Sequence, residues 1–123
     1  MFRIRQISLT AAVLAASFVV TPSAQAGAFN QQLINGIQIS STTVGGGTPF
    51  AVIQFTVPSQ SPAACSPFPF SQAMVVDIST SKGRGILSNA MAAFLAGKKV
   101  NVVGTGNTCI VNYEVIQSFT VTP

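Results

Sequence analysis

The residues able to do chemistry are few. Asp77 and Glu114 are the only acids in the chain, and histidine is absent. Histidine is the commonest general base and metal ligand, so no Ser-His-Asp or Cys-His arrangement can be assembled. A hydrolase built on two carboxylates needs both in one cleft. Asp77 falls near the end of one apolar run, and Glu114 sits in the middle of another on its outward side. The two are therefore not expected to meet. Ser79-Thr80-Ser81-Lys82 has the S-x-x-K spacing of serine acylases, in which the lysine takes the proton of a serine at a helix start. Neither S-D-N nor K-T-G accompanies it, and the chain is short for that fold, so the run reads as a helix cap. Gly104-Thr105-Gly106 is followed by a strand pattern, whereas a phosphate loop opens a helix. The expectation is a protein that is not an enzyme, with no catalytic residue, no metal site and no cofactor.

Cys65 and Cys109 are the only cysteines, and their fate depends on compartment. The chain opens on the basic stretch Met1 to Arg5. An apolar run from Ile7 to Val20 comes next, and then Ala24-Gln25-Ala26. Small residues at the positions a signal peptidase reads predict a secretory leader over 1–26, cut between Ala26 and Gly27. The remainder, 27–123, is read as one domain, periplasmic or secreted, with no membrane span after cleavage. An oxidising compartment predicts that Cys65 and Cys109 pair, which leaves no thiolates for a zinc cluster. The mature charge is small: Lys82, Arg84, Lys98 and Lys99 against Asp77 and Glu114, a net of about +2. That balance, with no tryptophan, argues against nucleic acid as a partner.

The element around which the pattern is organised is a helix after Ser79-Thr80-Ser81. Leu87, Ala90, Met91, Phe94 and Leu95 recur at helical spacing and predict the buried face. A serine or threonine before the run supplies the N-cap, and Gly97 supplies the left-handed stop. The expected outer face, Asn89, Ala92, Ala93 and Ala96, carries almost no charge and is a candidate oligomer face. Strands are predicted over Leu33 to Val44, Phe50 to Val57, Phe70 to Ile78, Lys98 to Thr105 and Cys109 to Val121. Gly27 to Gln32 reads as a loose arm. Gly45-Gly46-Gly47 and Gly104 to Asn107 read as turns, and the proline-rich stretch from Pro58 to Pro69 as a loop. Phe68 and Phe70, near its tip, are expected to fold back onto the sheet. Val111, Tyr113, Val115, Phe119 and Val121 are placed on one face of the last strand, and Asn112, Glu114, Ser118 and Thr120 on the other.

Strand, strand, strand, helix, strand, strand is the order of the OB fold, a five-stranded barrel; a small β-sandwich with one helix is the alternative. In such a barrel the third and fifth strands lie parallel, which brings Cys65 and Cys109 within bridging distance. The run Val76-Asp77-Ile78-Ser79, the helix, Gly97-Lys98-Lys99-Val100-Asn101-Val102, a glycine turn and Cys109 resembles small exported bacterial OB-fold proteins. These are similar in layout to the subtilase cytotoxin B subunit and, more distantly, to other pentameric toxin B subunits. The resemblance spans Leu33 to Val121 and implies a ring-forming, carbohydrate-binding subunit. Helices in such rings line the centre, which would occupy the alanine face. Asn35-Gly36 is the best-placed polar site, though no binding residue transfers from the family. The alternative is a structural or envelope-interaction protein without a sugar ligand.

Overall fold

The computed structural model describes residues 26–40 and 47–123. The leader read over 1–26 lies outside the described residues except for Ala26, as do Gly45 and Gly46 of the glycine turn. Strand β1 is Ala28–Leu33, β2 is Gly36–Ser40 and β3 is Phe50–Gln54. A short 3-10 turn, Phe70–Gln72, leads into β4, Ala73–Asp77; helix α1 is Ser81–Ala96, and β5, Lys99–Ile110, and β6, Tyr113–Val121, close the chain. One six-stranded sheet runs in the order β1-β5-β6-β4-β3-β2. Among the described residues only the β4–β6 pair is parallel, with Met74 opposite Glu114 and Val75 opposite Val115.

The sheet differs from the expected five-stranded barrel in two ways. It is open, because its edge strands β1 and β2 are not paired with one another. It also has a sixth strand: the expected N-terminal arm is β1, paired antiparallel with β5 from Ala28 opposite Val103 to Leu33 opposite Lys99. The two edges are nevertheless consecutive in the chain, joined by Ile34 and Asn35 alone. A link of that length reaches no more than about 10 Å, so the sheet must curl until its edges approach. The curl encloses the main core. Phe29, Ile34, Ala51, Ile53, Phe55, Met74, Val76, Val100, Val102 and Ile116 fill it from the sheet, and Ile86, Ala90 and Ala93 cover it from α1. Phe29 stacks on Phe55 with ring centroids 3.9 Å apart. A second cluster on the other side of β3 and β4 holds Val52, Ala73 and Val75. Strand β3 is therefore covered on both faces. There Phe70 meets Tyr113 edge-on, so Phe70 folds back, while Phe68 stays 70% exposed.

The helix begins and ends where its caps dictate. The Thr80 hydroxyl accepts from the Gly83 N–H at 3.0 Å, and Gly97 takes the left-handed conformation at φ 62°. Its rotation differs from the expectation. Gly83, Ile86, Ala90 and Ala93 face the sheet, while Met91, Phe94 and Leu95 face out. The reason is proximity: a Cβ on Gly83 would run into the Asp77 carbonyl, so the helix start lies hard against the end of β4. No side chain fits at Gly83; further along, Ile86, Ala90 and Ala93 reach the core, and Met91, Phe94 and Leu95 are turned to the outside.

The last hairpin also turns elsewhere than expected. Val111 and Asn112, both with positive φ, make a two-residue turn between Ile110 and Tyr113. Gly104 to Asn107 lies within β5, and Cys109 near the end of β5 rather than at the start of β6. The expected bridge is formed: Cys65 and Cys109 are joined with their Cα atoms 6.1 Å apart. The bridge holds the loop before β4 against the hairpin that starts β6, consistent with the parallel β4–β6 pair.

The disulfide closes a loop of 44 residues, worth about 4 kcal/mol in the chain-entropy picture. Replacing both cysteines by serine is expected to lower the urea midpoint accordingly with little change in far-UV circular dichroism. An unchanged midpoint would show that the bridge contributes nothing to stability.

Candidate functional site

Glu114 is the first functional candidate that the fold relocates. Strict alternation along the last strand places it on the outer face, opposite Tyr113, Val115 and Phe119; in the fold it is 1% exposed. Ser118 pairs with Val103 and Ile116 with Gly104, so Gln117 is an extra residue bulged out of the ladder. The bulge reverses the faces: Glu114 and Ile116 point into the curl before it, and Phe119 packs on the same core after it.

The carboxylate is met by backbone. The Gly27 N–H donates to both oxygens, at 3.0 Å to Oε1 and 3.1 Å to Oε2, and the Gly106 N–H donates to Oε1 at 2.7 Å. A side chain on Gly104 or Gly27 would occupy the space the carboxylate fills. No Lys or Arg pairs with it among the described residues. These glycines are the signal in the sequence that points to the site: Gly104 and Gly106 have the look of a turn, whereas they make room for, and donate to, a buried acid.

Asp77 is not brought to Glu114. Its Oδ1 accepts from the Ser79 N–H at 2.8 Å and from the Ser79 hydroxyl, a local turn ahead of α1. The Ser79 hydroxyl is thereby engaged, and Lys82 makes no hydrogen bond to it. Thr80, not Ser79, caps the helix. Arg84 holds the same turn by donating to the Ile78 and Ser79 carbonyls at 3.2 and 3.0 Å.

Two clefts with polar side chains in their lining open on the surface. The first, about 500 Å³, lies between the start of α1 and the bulged part of β5 and includes Asp77, Lys82, Thr105, Asn107, Thr108 and Gln117. Most of its polar groups are already satisfied. Thr105 Oγ1 accepts from the Thr108 N–H at 3.1 Å, Asn107 Oδ1 accepts from the Thr108 hydroxyl at 3.1 Å, and Asp77 holds Ser79. The second, about 490 Å³, lies at the β1–β2 link and is lined by Gln31, Gln32, Leu33, Ile34, Asn35, Thr56 and Lys99. Gln32 is engaged through its amide nitrogen, 3.1 Å from the Asn30 carbonyl. The side chains of Asn35, Thr56 and Lys99 have no hydrogen-bond partner among the described residues. Asn35, singled out from the sequence, thus lies in a cleft with unspent donors and acceptors. Gly36 follows it into β2, opposite Gln54.

A third recess, about 250 Å³, is apolar and lies between β2 and the outer side of α1, lined by Ile37, Ile39, Met91, Phe94 and Leu95. Of the alanine face, Asn89, Ala92 and Ala96 are exposed, while Ala93 is buried in the core.

No family model matches the chain, and no curated protein or solved structure matches it.

Because Gly104 lies against the Glu114 carboxylate, Gly104→Ala is expected to destabilise the protein by about 1–3 kcal/mol through overpacking. Gly85→Ala on the open helix face, where an added methyl meets nothing, serves as the control and should be neutral or stabilising. Urea unfolding of the two variants side by side measures the difference.

Proposed function

We propose that this chain is an exported, non-enzymatic binding module of OB type whose ligand is a glycan held at the β1–β2 link. The observation that carries the reading is the second cleft, with the unengaged side chains of Asn35, Thr56 and Lys99. An amide offers donor and acceptor together, and a hydroxyl does the same. That is the complement a sugar ring presents along its edge. The OB-type reading rests on taking β1 and β2 as one first strand broken at Ile34-Asn35, pairing with β5 before the break and with β3 after it. On that reading the parallel β4–β6 pair is the third strand against the fifth. The cleft then sits at the break, where the strand turns and its backbone leaves the ladder. Export is supported by the leader-like sequence and is compatible with the Cys65–Cys109 bridge. Among the described residues no helix is long and apolar enough to cross a membrane. The resemblance to toxin B subunits points the same way and adds a ring.

One observation favours a second reading, an envelope-interaction protein with no sugar ligand. Leu95 is 83% exposed and Ile39 57%, and with Ile37, Met91 and Phe94 they line one apolar recess. Contiguous apolar surface of this kind marks protein contacts. A second copy of the chain is the partner this face fits first, because a self-complementary apolar patch suffices for a symmetric pair.

Two measurements separate the readings. Screening the oxidised protein on a glycan array is expected to give hits that Asn35→Ala and Thr56→Ala each weaken by roughly tenfold, as for one lost hydrogen bond of about 1.4 kcal/mol. Silence across the array removes the sugar reading. Native mass spectrometry is expected to show an oligomer that Leu95→Glu breaks into monomers. A wild-type monomer at micromolar concentration removes both the ring and the self-association.

A further inference from the structure

Glu114 presents a problem that the binding function does not solve. A carboxylate taken out of water carries a large desolvation cost unless it is paired and hydrogen-bonded. Here it has two backbone donors and no cation among the described residues. One of those donors is the nitrogen of Gly27, the residue that follows the predicted cut.

We propose that cleavage after Ala26 turns the Gly27 nitrogen into an α-ammonium that closes a buried ion pair with Glu114. Removal of the leader and locking of the sheet are then coupled. The inference rests on the export reading above. In the cut, the Ala26–Gly27 C–N bond is hydrolysed by the signal peptidase. Water gives its hydroxyl to the Ala26 carbonyl carbon and a proton to the Gly27 nitrogen, and a further proton from solvent completes the ammonium. An α-amino group titrates near pH 8 in the open, about 7.7–8.0, so beside a carboxylate it is charged at neutral pH.

The geometry suits an ammonium better than an amide. Gly27 N lies 3.0 and 3.1 Å from the two carboxylate oxygens, so a single N–H is shared between both acceptors. An ammonium has a separate proton for each oxygen. Only glycine fits at this position, since a Cβ would strike the carboxylate and would lie 3.0 Å from the Ser59 hydroxyl. The rest of Gly27 is fastened as well: its carbonyl accepts from the Gly104 N–H at 2.9 Å, and the next residue, Ala28, exchanges two hydrogen bonds with Gln60. The new terminus therefore arrives at the carboxylate already aligned by β1. Because Gly27 is buried in the folded protein, the cut must precede closure of the sheet. The uncut chain would fold with an amide in place of the charge.

The test compares Gly27–Pro123 bearing a free amine with the same chain acetylated at Gly27, each with Glu114 and with Glu114→Gln. Blocking the amine is expected to raise the unfolding equilibrium constant by roughly tenfold or more in the Glu114 chain, the range for a hydrogen bond to a charged group. In Glu114→Gln the effect should shrink to less than about threefold, as a pair coupling predicts. Equal effects in both backgrounds overturn the ion pair. Should Glu114→Gln fail to fold, the wild-type chain still decides. Its Gly27 amine is expected to resist an amine-reactive acylating ester under native conditions and to react in urea; rapid native labelling overturns the pair. Intact mass of the exported protein tests the cut by itself. A mature chain starting at Gly27 supports the proposal. Any other start overturns the export-linked step, even if the synthetic free-amine chain shows the coupling.

Discussion

The carboxylate of Glu114 is the point on which the open side of the sheet depends. It stands on β6, receives one N–H from Gly106 on β5, and receives another from Gly27 just before β1. The β5–β6 hairpin and the distant start of the domain are thus tied at one buried group. Hydrogen bonds to an ionised acceptor are roughly twice as strong as neutral ones. Removing the acceptor would strand two buried donors, at about 1–3 kcal/mol each. The same contact explains the irregularity of β5. A side chain at 104 would collide with the carboxylate, the ladder is irregular there, and β6 bulges at Gln117 to turn Glu114 inward.

Once β1 is held at the β5 edge, the rest of the curl follows from chain length. Two residues carry the backbone from β1 to β2 at the opposite edge, so the sheet has to bend round rather than spread. That bend buries Ile34 and leaves Asn35 exposed. The polar cleft at the link is a by-product of closing the core. Opposite it, α1 starts hard against the end of β4 at Gly83, turns Ile86, Ala90 and Ala93 to the core and leaves Met91, Phe94 and Leu95 outside. The two candidate binding surfaces, one polar and one apolar, therefore arise from the same requirement that the sheet and helix pack tightly around a small core.

Much of this architecture was legible from local pattern. The helix, a cap within Ser79 to Ser81, its Gly97 stop and the β3 and β4 strands come from periodicity and capping chemistry, which act over a few residues. The disulfide was legible because two cysteines have only one partner each, and the parallel neighbours of the third strand followed from strand order. Asn35 was legible as a polar residue at the mouth of a strand. The arm before it was not, since Ala28 to Leu33 has mixed burial and bulges at Gln31, and its pairing depends on β5, far along the chain.

The sequence by itself determined which residues can be chemically active, where the helix starts and stops, and which cysteines join, because these depend on residue type and near neighbours. Tertiary structure alone decided that Glu114 points inward, that the helix shows the sheet Gly83, Ile86, Ala90 and Ala93 rather than Met91, Phe94 and Leu95, and that the glycines at 104 and 106 serve an acid rather than a turn. The physical reason is range. Whether a polar side chain is buried is settled by the partners that meet it, and one of the two donors that meet Glu114 stands 87 residues away in the chain.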